Sequence, residues 1–152
     1  MMPAMVLAAV RRWGGVLEHP EASAAWRAFD LNAPPWGGAW VSADFFGGWT
    51  CCVEQGKYEH RARKATWLYA SGVRTLPSLE WGASSAAHRL DGCGFHTTEE
   101  RIARLGGGKT RRQWMADRGI PFERLNGSEL AATPIPFRDV LLSIARSAQA
   151  AP

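Results

Sequence analysis

The chain has 152 residues, enough for one hydrophobic core of ordinary size and too few for two. Its 46% hydrophobic content fits a globular protein, and 21% charged residues is too few for a disordered one. The net charge of +4 carries fifteen arginines among eighteen basic residues, a bias that suits phosphate and guanine edges but also follows from GC-rich coding.

The longest apolar run, from Ala4 to Val10, falls well short of the ~18 residues that span a bilayer. Arg11-Arg12 follows that run instead of preceding it, and no small-residue cleavage site comes after, so neither a membrane segment nor an export signal is expected. Cys51, Cys52 and Cys93 are an odd number, which argues against a disulfide scaffold and for a reduced, cytoplasmic protein. Eight tryptophans, costly to expose, belong mostly in a core or an interface.

In chain order, Pro3 suits the first turn of a helix whose apolar face is Met5, Val6, Ala9, Val10 and Trp13, stopped by Gly14-Gly15. Val16-Leu17 reads as a buried strand with polar Glu18-His19-Pro20 at its carboxyl end. A helix from Ala22 to Phe29 buries Ala22, Ala25, Trp26 and Phe29, which completes a helix–strand–helix unit. Residues 30–48, punctuated by Pro34-Pro35, Gly37-Gly38 and Gly47-Gly48, read as turns around short strands.

Trp49 to Glu54 and Ala65 to Ala70 are the best strand candidates, and residues 71–96 read as loop. Thr97 and Glu100 form a capping box for a helix that ends at Gly106-Gly107-Gly108, and a short helix runs from Thr110 to Arg118. Thr133 caps the last helix, with Pro134 in its first turn and Phe137, Val140, Leu141, Ile144 and Ala148 as its stripe. The predicted fold is a single α/β domain over 1–152: a small mixed β-sheet with flanking helices.

Four features bear on chemistry. Ala103 to Thr110 approaches a phosphate-binding loop, but a capped charged helix precedes it where a buried strand belongs, so a flexible basic loop is the better reading. Lys109, Arg111 and Arg112 in and after that loop join the candidate phosphate contacts. Cys93 and His96, with His88 and the distant Cys51-Cys52, lack the two close pairs of a structural zinc site and read as free thiols and histidines. Between the two strand candidates, Lys57, Arg61, Arg63 and Lys64 interleave with Tyr58 and His60; clustered cations with planar side chains suit a nucleic-acid backbone, and equally a solvated turn. Glu18 closes a strand where open α/β sheets bind ligands, or else simply enters a helix.

Three segments in this order resemble cytosine-5 DNA methyltransferases and their phage-encoded relatives. Val16-Leu17-Glu18-His19-Pro20 resembles the family's Glu-Asn-Val or Glu-Asn-Pro strand end. Gln55, Arg61 and Arg63 are similar to a loosened Gln-x-Arg-x-Arg motif, with Tyr58 through Lys64-Ala65-Thr66-Trp67 close to the phage-type phrase. Thr133-Pro134-Ile135-Pro136-Phe137 is similar to the last family motif, a Pro-containing turn that opens a helix. The resemblance implies a partial methyltransferase-like domain from residues 1–70 and 128–148, with 71–127 in place of the variable target-recognition region.

It also implies that Glu18 contacts a flipped base and that the arginines support it. The Gly-rich S-adenosylmethionine loop and the nucleophile-bearing Pro-Cys loop precede the Glu motif in that family. The seventeen residues before Glu18 leave no room for either. The expectation is therefore a chain with no cofactor of its own and no complete activity, S-adenosylmethionine entering only if a partner supplies its site. It would bind DNA, alone or as the second half of a split enzyme. The alternative is a phage-encoded protein-binding inhibitor of a bacterial defence system, such as an anti-CRISPR protein, blocking a subunit through exposed Trp and Arg. A half-domain also exposes a sheet edge, which calls for a protein subunit or a homodimer. A complete enzyme of unrelated type is the weakest reading, because no base, nucleophile and electrophile assemble from the sequence.

Overall fold

The computed structural model describes residues 4–86, 113, 116, 117, 119, 125 and 127–149. Helix α1 spans Ala4–Trp13 and strand β1 Gly15–Pro20. Between them Gly14, at φ +77°, donates its N–H to the Val10 carbonyl at 2.9 Å. A Cβ on Gly14 would stand 2.5 Å from the Gly72 carbonyl oxygen, so only glycine lets the chain turn against the exit of the sheet here. Ser23 then caps the short helix α2, Ala24–Ala28, its side-chain oxygen accepting from the Ala25 N–H. The helix is shorter than the Ala22–Phe29 span predicted, because Ala22 adopts φ +57° and stands outside it.

Strands β2 (Val41–Ser42), β3 (Trp49–Glu54) and β4 (Ala65–Ser71) complete the sheet, with a 3-10 turn at Gln55–Tyr58 after β3. The two strands predicted from β-branched and aromatic runs are thus both present. Helices α3 (Gly127–Ala131) and α4 (Ile135–Arg146) follow. The sheet order is β1-β4-β3-β2. A small α/β sheet is present, but it is not the mixed sheet expected: every neighbouring pair is antiparallel. The reason is topological. β3 and β4 join through a short connector as antiparallel neighbours, and β4 then inserts beside β1. β1 and β3 both oppose β4, so they run parallel to one another without touching, and α2 lies in the connection between them: a split β-α-β unit.

Side chains alternate across this sheet and give it two cores. On one face Tyr69 and Leu17 meet Leu7 of α1 and Trp26 of α2. The Trp26 indole N–H donates to Thr50 Oγ1 at 3.3 Å, and its ring meets Trp67 edge-on at 5.6 Å. On the other face Cys51, Val53 and Leu68 pack against Phe137 of α4. The α4 stripe holds for Phe137, Val140, Leu141 and Ile144, with Phe137 and Ile144 buried, but Ala148 lies past the helix end, bridged to Val73. The predicted cap does not hold: Pro134 occupies the cap position, with no side-chain hydrogen bond, and not Thr133.

Helix α1 shows the clearest departure. Leu7 is its buried residue, while Met5, Val6 and Trp13 of the predicted apolar face are 82%, 39% and 60% exposed. Arg11 sets this rotation, donating from Nε to the Tyr69 hydroxyl at 3.2 Å and from Nη2 to Asp44 at 2.8 Å. Among the described residues no helix is long and apolar enough to cross a membrane.

Candidate functional site

Because β1 and β3 run parallel, their carboxyl ends lie at one end of the sheet, flanking the amino end of β4. Glu18 stands near the end of β1, on the face of Val16 and α4 by alternation along the strand. Gln55 follows directly on β3, and Lys64 directly precedes β4. Glu18 Oε1 accepts a hydrogen bond from Gln55 Nε2 at 2.7 Å and lies 3.9 Å from Lys64 Nζ.

Gln55 is fully buried. Its Nε2 also donates to Thr66 Oγ1 at 3.0 Å, and the Thr66 hydroxyl donates to the Lys64 carbonyl at 3.1 Å. Both amide hydrogens of Gln55 are thereby used. Its Oε1, on the same amide and so within the same cluster, has no hydrogen-bond partner among the described residues. A buried, unpaired acceptor costs ~1–3 kcal/mol, and such groups concentrate where function demands them. Burial lowers the Lys64 pKa, and the neighbouring Glu18 carboxylate opposes that shift. The cluster therefore joins a carboxylate, an ammonium and a buried amide whose oxygen is unpaired among the described residues.

The remaining connector residues are turned to other parts of the chain. Arg61 Nη1 pairs with Glu129 at 2.6 Å while remaining half exposed. Arg63 Nε donates to the Ala86 carbonyl at 3.1 Å. The Tyr58 hydroxyl accepts from the Glu80 N–H at 2.9 Å, and its ring lies 5.3 Å from Phe137. Lys64 Nζ also reaches the Ala131 and Ala132 carbonyls at the end of α3. Lys57 is half-buried on the 3-10 turn. Of the residues singled out in the sequence, Glu18, Gln55 and Lys64 converge; Arg61, Arg63 and Tyr58 fasten the surrounding segments.

His60 Nδ1 lies 2.9 Å from the Ala62 nitrogen and 3.1 Å from the Ala62 carbonyl oxygen, and its Nε2 is buried with no hydrogen-bond partner among the described residues. Lys109, Arg111 and Arg112 lie outside the described residues, as do His88, Cys93, His96 and the predicted helix starting at Thr97. Cys51 and Cys52 are both free and buried. Burial, with some help from Cys52, raises the Cys51 thiol; burial and the charge of Glu21 push Cys52 up to about 12. Neither is a thiolate at neutral pH, so neither acts as nucleophile. Among the described residues no group of three His, Cys, Asp or Glu side chains is placed to hold a metal.

One polar centre escaped the sequence reading. Asp44 receives Arg11 and the Tyr69 hydroxyl, each at 2.8 Å, and the N–H groups of Phe46 and Gly48, each at 2.9 Å. Burial opposes its ionisation, but the Gly48 N–H, the Tyr69 hydroxyl and Arg11 outweigh it and hold the carboxyl below its usual range. The turn so braced pushes Phe45 and Phe46 outward, 105% and 71% exposed, with the Arg11 guanidinium 4.4 Å above the Phe46 ring. The available signal was the spacing Asp44-Phe45-Phe46-Gly47-Gly48, an Asp bonding its own backbone ahead of a glycine turn. The chain matches no protein-family model, no curated protein and no solved structure.

Proposed function

We propose that this chain is a nucleic-acid-binding, methyltransferase-like protein that makes base contacts without performing chemistry alone, either as the second half of a split cytosine DNA methyltransferase or as a binding remnant. The observation that carries this reading is the Glu18–Gln55–Lys64 cluster at the carboxyl ends of the parallel strands, with an unpaired buried amide oxygen in it. The first two motifs of the resemblance supply these residues or their neighbours. In this reading Glu18 accepts from the exocyclic amine of an extruded cytosine, and the half-exposed Arg61 and Lys57 lie nearest the phosphates.

The test is fluorescence anisotropy with a duplex bearing one unpaired cytosine, against the same duplex bearing an unpaired thymine. Binding should weaken steeply with salt. Glu18→Gln, which keeps the acceptor for Gln55, should erase a cytosine preference of roughly tenfold. Absence of binding at low salt, or an unchanged preference in the variant, would overturn the reading.

A second reading rests on a different observation. The exposed Phe45 and Phe46 on their braced turn suit a protein-binding inhibitor of a bacterial defence nuclease, aromatic residues being enriched in interface hot spots. Phe45→Ser with Phe46→Ser should then abolish a stoichiometric complex with the nuclease and leave DNA binding intact.

A further inference from the structure

A cavity of about 370 Å³ lies beside α2, lined by Trp26, Leu31 and Trp67 together with Arg27 and Asp30. Its volume falls in the range that small-molecule sites occupy. Trp67 packs on the α1 and α2 face of the sheet, whereas its neighbour Thr66, which holds Gln55, points to the other. The cavity is therefore separate from the Glu18 cluster and independent of any role that cluster has.

Both indole N–H groups are already used within the sheet: Trp26 donates to Thr50 Oγ1 at 3.3 Å, and Trp67 donates to the Cys52 sulfur. With their only donors occupied, the two rings have carbon and π surface left to offer a ligand. They meet edge-on at 5.6 Å, so they form one aromatic wall and not a slot between parallel rings. Beyond α2 the chain turns back, the Asp30 N–H donating to the Arg27 carbonyl at 3.3 Å and the Leu31 N–H to the Trp26 carbonyl at 2.8 Å. Ala22 before the helix and Asp30 after it both take left-handed backbone, φ +57° and +53°, and both line the cavity. Such backbone in residues other than glycine gathers at ligand clamps. Arg27 and Asp30 are exposed, and neither forms an ion pair among the described residues. A free cation and a free anion thus stand at the rim of an aromatic hollow.

We propose that this cavity binds a small planar aromatic zwitterion, the chemistry of a free aromatic amino acid. The ring lies against Trp26 and Trp67, the carboxylate meets Arg27 and the ammonium meets Asp30. A nucleotide suits the same lining less well, because Asp30 repels the phosphate that Arg27 attracts. Both head-group contacts lie in water, so each strengthens binding about fivefold at most.

Titration of the isotope-labelled full chain with L-tryptophan, followed through its assigned indole N–H resonances, tests this. The Trp26 and Trp67 signals should move together and saturate, with a Kd on the order of 1 mM for a ligand of this size. Tryptamine, without the carboxylate, and indolepropionate, without the ammonium, should each bind about fivefold more weakly. Arg27→Gln should weaken L-tryptophan and indolepropionate and leave tryptamine unaffected. Asp30→Asn, which keeps a residue tolerant of left-handed backbone, should weaken L-tryptophan and tryptamine alone. No saturable shift of the two signals, equal binding of the three probes, variants that bind as wild type does, or tighter binding of adenosine monophosphate would each overturn the proposal.

Discussion

At the residue scale the most consequential side chain is Asp44. Its carboxylate gathers a guanidinium, a phenol and two backbone N–H groups, tying α1, β4 and the aromatic turn to one point. Asp44→Asn should destabilise the fold by about 1–3 kcal/mol, since bonds to a charged acceptor are the stronger ones; chemical denaturation measures this. Its folded pKa lies below the unfolded value, so the stabilisation is complete above the usual carboxyl range and is lost as pH falls through the folded value. Stability curves of wild type and variant should accordingly converge in acid. Only the two backbone bonds had a local signal, in the Asp44-to-Gly48 spacing; Arg11 and Tyr69 lie 33 and 25 positions from Asp44 and no local pattern marks them as its partners.

At the scale of elements, β3 and β4 could be read directly, as runs of aromatic and β-branched residues long enough to define themselves. β2, two residues long, falls within the 30–48 stretch read as turns around short strands, but is too short for any pattern to fix its bounds. Helix α1 existed where predicted but faced another way, because periodicity gives a stripe and not the object it packs against: Arg11 bonding to Tyr69 and Asp44 decided the matter. The basic connector was legible as a charge cluster, but its partners Glu129, Ala131, Ala132 and Ala86 are remote in sequence, so its role in fastening α3 was not. Lys64 places positive charge on the last carbonyls of that helix. Lys64→Met should speed amide exchange in residues 127–132 while costing global stability only roughly 1 kcal/mol, as exchange mass spectrometry and thermal unfolding would report.

For the whole molecule, the sheet separates two kinds of surface. One end gathers the polar cluster of Glu18, Gln55 and Lys64. The start of β3 and the turn before it carry exposed aromatics: Trp49 leads the strand at 42% exposure, and Phe45 and Phe46 stand just before it. The polar cluster and the aromatic turn can therefore be altered separately: Glu18→Gln leaves the aromatic turn untouched, and the Phe45/Phe46 variant leaves the cluster untouched.

The insertion of β4 between β1 and β3 also governs how the chain reaches this state. The β3–β4 hairpin closes locally, whereas β1 waits for a partner whose first residue lies 45 positions beyond Pro20. Docking of the first strand thus belongs to the late part of the folding reaction. Conservative truncations there, such as Leu17→Ala, should hasten unfolding and leave the refolding rate nearly unchanged, while Val53→Ala in the hairpin should slow refolding. Newly made chains would spend their earliest moments with that strand unsatisfied, the interval in which two of them are most apt to find each other in the wrong way.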